Sequence, residues 1–179
     1  MEMKVDNLVS VKTRQEWRDW LMAHSSTDKY CWLNMNCDFS YLDAVEEALC
    51  FGWIDSTKKS GVQRFSPRSK NSNWTELNRA RVQRLEKLGL MTDKGRKCLP
   101  DSEFKIHQKI LDALMADKET YANFCKFPKL YQKIRIDNIQ TCLYRKQIAL
   151  FETRLQKFIE NTKADKMFGP WHDDGRLLN

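Results

Sequence analysis

Ala44–Asn78, AVEEALCFGWIDSTKKSGVQRFSPRSKNSNWTELN, decides the fold. It opens as a helix and changes period after Gly52. Phe39, Leu42, Val45, Leu49 and Trp53 recur at spacings of three and four, so they mark one buried helical face. Glu46 and Glu47 fall on other faces and are expected to be solvated. Gly52 stands where a helix needs a left-handed stop. Trp53–Thr57 then alternates as a strand, Lys58–Gly61 reads as a turn, and Val62–Ser66 as the return strand. Pro67 donates no ladder bond and should end it. Asn73-Trp-Thr-Glu76 matches a capping box for the next helix, with Ser72 as a competing cap.

Working outward, Tyr30–Asn36 is aromatic and apolar and reads as a third strand. Three strands with one face covered by helices are stable where a lone hairpin is marginal. Residues 1–12 form an extended lead-in with weak alternation at Val9 and Val11. Thr13 and Glu16 match a capping box, and Trp17, Trp20 and Leu21 follow on one helical face. Asp38 or Ser40 caps the helix that runs into the central stretch. Beyond Pro100 the chain reads as helical. Phe104, His107, Ile110, Leu111 and Leu114 share one stripe, in which His107 is a packing residue. Pro128 opens another helix, Asp137 is a further cap candidate, and apolar positions continue from Ile139 to Ile159. The expected fold is α+β: a small antiparallel three-stranded sheet packed with helices, and a mostly helical C-terminal half. Residues 1–161 are read as one domain, and 162–179 as a polar tail, docked in part.

Apolar residues make up 41% of the 179 and charged residues 31%, an ordinary globular balance. The net charge of +7 is uneven: −5 over residues 1–55, +9 over 56–97 and +3 over 98–179. Such a basic segment attracts nucleic acid, anionic lipid or a phosphorylated ligand. No stretch reaches the length of a transmembrane helix, and residues 1–17 carry no signal-peptide pattern. The six cysteines are scattered and never form C-x-x-C, which predicts reduced thiols in a cytoplasmic protein. No cofactor or metal is implied: His172 lies beside Asp173 and Asp174, but adjacent residues converge poorly.

The chemistry-bearing residues gather beside the hairpin: Trp53, Asp55, Gln63, Arg64, Arg68, Ser72, Trp74 and Asn78. Arg64 and Arg68 are suited to clamp a small anion or an acidic group on a partner protein. Asp55 orients one guanidinium, Trp53 and Trp74 supply a flat wall, and Ser72 and Asn78 offer neutral hydrogen bonds. The alternative is a protein-interaction module without a ligand, in which an internal network pairs Asp55 with Arg64 or Arg68 and only fixes the hairpin to the helix. A second alternative is single-stranded nucleic-acid binding by Lys58, Lys59, Arg64, Arg68, Lys70, Arg79, Arg81 and Arg84, interleaved with Phe65 and Trp74. Enzymatic chemistry is not favoured. Asp55 beside arginines stays charged, no Ser or Cys has a His partner, and no glycine-rich phosphate loop is present.

Glu47-Ala-Leu-Cys-Phe-Gly-Trp-Ile-Asp55, Gln63-Arg-Phe-Ser-Pro-Arg68, Ser72-Asn-Trp-Thr-Glu-Leu-Asn78 and Gly89-Leu-Met-Thr-Asp-Lys-Gly95 resemble the YdeI/OmpD-associated, or bacteriocin-protection, family. The resemblance covers residues 10–97. It extends to Thr153 and Arg154 in a C-terminal helix, although Phe151 and Glu152 depart from the basic residues usual there. Trp53, Asp55, Gln63, Phe65, Pro67, Arg68, Ser72, Trp74 and Asn78 match residues the family shares. The resemblance implies a role in protection from bacteriocins or cationic antimicrobial peptides, in association with outer-membrane porins. It implies no settled enzymatic activity.

Overall fold

Several helix starts in this chain are set by short polar side chains. A computed structural model describes residues 5–69 and 72–178; Lys70 and Asn71, which belong to the expected polar loop and basic patch, lie outside the described residues. In α1 (Arg14–His24), Thr13 accepts from the Glu16 amide while Glu16 reaches back to the Thr13 amide. Ser40 and Asp43 do the same for α2 (Tyr41–Cys50). Each box satisfies two amides that the first turn leaves without partners. α2 stops at Gly52, whose φ of +73° a residue with a Cβ adopts only at a cost.

The sheet has four strands, not three, and it is mixed. β1 (Leu8–Val9), β2 (Cys31–Asn34), β3 (Trp53–Lys59) and β4 (Val62–Pro67) lie in the order β1-β2-β4-β3. β4 pairs antiparallel with β2 and β3, and β1 pairs parallel with β2. β1 and β2 are joined through α1, so the lead-in completes a β-α-β unit. Two residues are too few for alternation to announce a strand; pairing and the burial of Val9 place it there. Between Asp55 and Lys58 the hairpin carries a bulge. Gln63 fills it: its amide group lies 3.3 Å from the carbonyls of both Ser56 and Thr57, which the ladder leaves unpaired.

The described residues divide into two compact units. One comprises residues 1–74 and 81–100; the other comprises 75–80 and 101–179. In the first, Trp17, Leu21, Leu33, Leu49, Trp53, Phe65 and Leu85 form the centre of the core. Trp17 stacks on Trp20, and Trp20 meets Trp53 edge-on. The expectation that Glu46 and Glu47 are solvated is corrected: both are buried. α1 lies against α2 and brings Arg14 and Arg18 over that face. Arg14 bonds Asp43, Glu46 and Glu47; Arg18 bonds Glu47; and Arg84 bonds Glu46 at 2.8 Å. The short α4 (Asp93–Lys97) is capped by Thr92 and approaches α2 closely at Gly95, where a Cβ would strike the Cys50 carbonyl.

α3 (Glu76–Lys87) begins later than the sequence suggests. Its cap is Thr75, whose hydroxyl accepts from the Asn78 amide at 3.2 Å, rather than Ser72 or Asn73. In the second unit α5 (Gln108–Met115), α6 (Lys118–Lys126), α7 (Lys129–Tyr144) and α8 (Ile148–Lys163) surround Ile110, Leu114, Phe124, Tyr131, Ile139 and Phe158. His107 caps α5. Phe168 and Trp171 pack on this core, and Arg135 donates to the Pro170 carbonyl at 2.6 Å. Asp137 sits inside α7 rather than starting a helix, and it accepts from the Glu76 amide at 3.1 Å.

Burial, and then the Glu76 carboxylate, push the Asp137 carboxyl upward, against the Glu76 amide and Arg79. The folded chain therefore takes up this proton at higher pH than the unfolded chain does. Asp137 thus favours folding as pH falls through its folded value toward its unfolded one. Asp137→Asn should abolish that pH-dependent gain while keeping an acceptor for Glu76. Asp137→Ala should cost about 1 kcal/mol through the lost cap. Urea titrations at neutral and mildly acidic pH check both.

Candidate anion site at the end of the hairpin

β4 ends at Pro67, and the Arg68 amide then donates to the Gly52 carbonyl at 2.9 Å. This bond ties the close of the hairpin to the stop of α2. The Arg68 side chain turns over the Trp74 indole, with Cζ 3.9 Å from the ring centroid. Nη1 donates to the Asn73 carbonyl at 3.2 Å. Nε and Nη2, one side edge of the guanidinium, are buried with no hydrogen-bond partner. The residue is 8% exposed.

A guanidinium in this position has lost most of its water. The ring face compensates in part through cation–π attraction. Burial pushes Arg68 down to about 10, while Cys98 and Asp55 act in the opposite direction. The two idle N–H groups point along one edge, the geometry that receives both oxygens of a carboxylate or two of a phosphate. Cys98 stands beside the site, its thiol 4.0 Å from the Gly52 carbonyl. A Cβ on Gly52 would come within 2.7 Å of that sulfur, so position 52 requires glycine for space as well as for φ.

The other expected site residues are engaged as follows. Trp53 is 1% exposed and donates from Nε1 to the Ser25 carbonyl at 3.1 Å, inside the core. Asp55 accepts from the Tyr41 hydroxyl at 2.5 Å. Burial and this carboxylate push the Tyr41 hydroxyl well above its ordinary value. Gln63 serves the bulge. Arg64 stacks on Tyr30 at 4.5 Å, with a long bond to the Ser56 hydroxyl, so the two arginines lie on different rings. The Ser72 hydroxyl accepts from the Ser69 amide at 2.9 Å. Asn78 belongs to the first turn of α3, in the second unit.

Arg68 and Trp74 are therefore brought into direct contact, and Asn73 and Cys98 join them unannounced by the sequence. Tyr41 was missed as the partner of Asp55. No local pattern signals it, because the two residues meet only when α2 packs against β3. Two arginines of the basic segment are paired at home: Arg84 with Glu46 and Arg96 with Glu86 and Asp93. Arg79 is likewise paired, with Glu76. Among the described residues no group of His, Cys, Asp and Glu is arranged to hold a metal, and no helix is long and apolar enough to cross a membrane.

Residues 9–98, half of the chain, match the family described as Domain of unknown function (DUF8412). The chain belongs to that family. Residues 103–165 match the family described as Bacteriocin-protection, YdeI or OmpD-Associated. The resemblance to the bacteriocin-protection family therefore holds. Its matched segment is α5–α8, however, whereas the motifs quoted for it lie in 10–97, the DUF8412 part. No curated protein and no solved structure matches the chain.

Proposed function

We propose that this chain is a non-catalytic binding protein of the bacteriocin-protection type that receives a small carboxylate or phosphate group at Arg68. One observation carries the reading: the Nε–Nη2 edge of Arg68 is buried and unpaired. A buried cation without a counter-ion is costly, and an anion on that edge removes the cost. Trp74 holds the guanidinium plane in place for a two-point contact. Since both nitrogens are shielded from solvent, entry of the anion involves release of the Asn73 carbonyl.

A second reading has its own support. The Arg68–Asn73 bond and the Trp74 stack are what an internal clamp on residues 68–74 requires. Thermal unfolding with inorganic phosphate, and separately with citrate, separates the two. The ligand site predicts that either anion raises the melting temperature of the wild type. The rise should shrink in Arg68→Lys, which offers a point charge in place of a fork, and vanish in Arg68→Ala. If phosphate and citrate shift wild type and Arg68→Ala alike, the ligand site is wrong and the clamp stands.

A further inference from the structure

α7 ends in the same kind of stop that closes α8 at Asp165, but with a cation in place of a carboxylate. The Lys146 amide donates to the Leu143 carbonyl and the Gln147 amide to the Cys142 carbonyl, a Schellman pair. The residue that such a stop places in the left-handed region is usually glycine. Here it is Lys146, at φ +58°. A cation thus occupies a position whose backbone disfavours any side chain. Arg145 precedes it, and both are exposed with no carboxylate partner among the described residues. α8 then starts with no side-chain cap and no acidic residue in its first turn, which leaves its positive dipole end open at the same tip. From Thr141 to Phe151 the chain holds no acidic residue.

Apolar side chains crowd the same tip without cover. Tyr144 is 68% exposed, Ile148 51% and Leu150 40%. A tyrosine, two aliphatic side chains, two long cations and an open helix N-terminus are the mixture that suits the boundary between lipid headgroups and acyl chains. We propose that the α7–α8 turn is a membrane-docking tip for an anionic bilayer surface. Tyr144 and Ile148 enter the interface with Leu150 beside them, while Arg145 and Lys146 lie among the headgroup phosphates. Charge complementarity selects this occupant over an uncharged apolar partner. The tip rests on the surface and does not span it. It is independent of the Arg68 site, and Arg68→Ala is expected to dock as the wild type does.

The test is co-sedimentation of the full chain with vesicles of equal parts phosphatidylglycerol and phosphatidylcholine, and with phosphatidylcholine alone, at low and raised salt. Retention is expected on the anionic vesicles only, and it should weaken with salt. Loss of each tip cation should lower the partition about fivefold. Lys146→Gly is the informative variant: glycine relieves the left-handed residue, so the chain should unfold at a higher temperature and yet bind less. Tyr144→Ser with Ile148→Ser should also reduce retention. Three results would each overturn the proposal: no retention at low salt, an equal loss from Lys58→Glu on the hairpin, or self-association without vesicles that the tip variants abolish.

Discussion

Glu46→Ala is expected to lower the stability of the folded chain by about 3 kcal/mol, the low end of what removing one partner of a buried ion pair costs. The Glu46 side chain has no exposure; it accepts from Arg84 at 2.8 Å and forms an ion pair with Arg14 at 3.3 Å. Its loss leaves both guanidiniums beside a void. They are 26% and 33% exposed, so water recovers part of their solvation and holds the cost at that low end. Glu46→Gln keeps the shape and an acceptor and should cost less. Urea denaturation measures this as a lower midpoint at unchanged slope. A change under about 1 kcal/mol would mean that the network contributes no more than a surface pair does.

Trp53→Ala should cost about 4 kcal/mol, since it empties an indole-sized volume from the core. It also strands the Ser25 carbonyl, which receives the indole N–H at 3.1 Å. Trp53→Phe keeps much of the volume and should cost about 1–3 kcal/mol, chiefly through that unpaired carbonyl. Neither change touches the Trp74 face on which Arg68 lies. The phosphate response of Trp53→Phe should therefore match that of the wild type. A response lost in Trp53→Phe at intact fold would place the Trp53 ring in the ligand wall.

Much of the local chemistry was legible in the sequence, and tertiary choice was not. The Thr13–Glu16 box, the Gly52 stop and the hairpin from Trp53 to Pro67 each depend on neighbours within a few residues, and all three are present. β1 escaped as a paired strand because Leu8–Val9 becomes one only beside β2. Glu46 and Glu47 misled for the same reason: a helical wheel shows which face a residue is on, not which other helix brings arginines to it. In the α+β reading the sheet was one strand short and its direction uniform where it is mixed. At the site, the pairing of Arg68 with Trp74 was accessible because they lie only six positions apart. The placements of Asp55 on Tyr41 and of Arg64 on Tyr30 were not, since each depends on strand register and on side-chain direction after folding.

The first turn of α3 has a consequence for anyone dissecting this chain. The two family matches meet between residues 98 and 103, which invites a cut there. Yet Thr75–Ala80 groups with the later residues, and the Glu76 amide is held by Asp137, sixty-one positions downstream. A fragment ending at Pro100 would keep all of α3 but lose that acceptor, and its helix should fray from the start. A fragment beginning at Asp101 would carry a partly buried carboxylate with nothing to receive. The sequence seam and the structural seam do not coincide, so shuffling halves between relatives at residue 100 should yield poorly folded chimaeras unless residues 75–80 come from the same parent as α7.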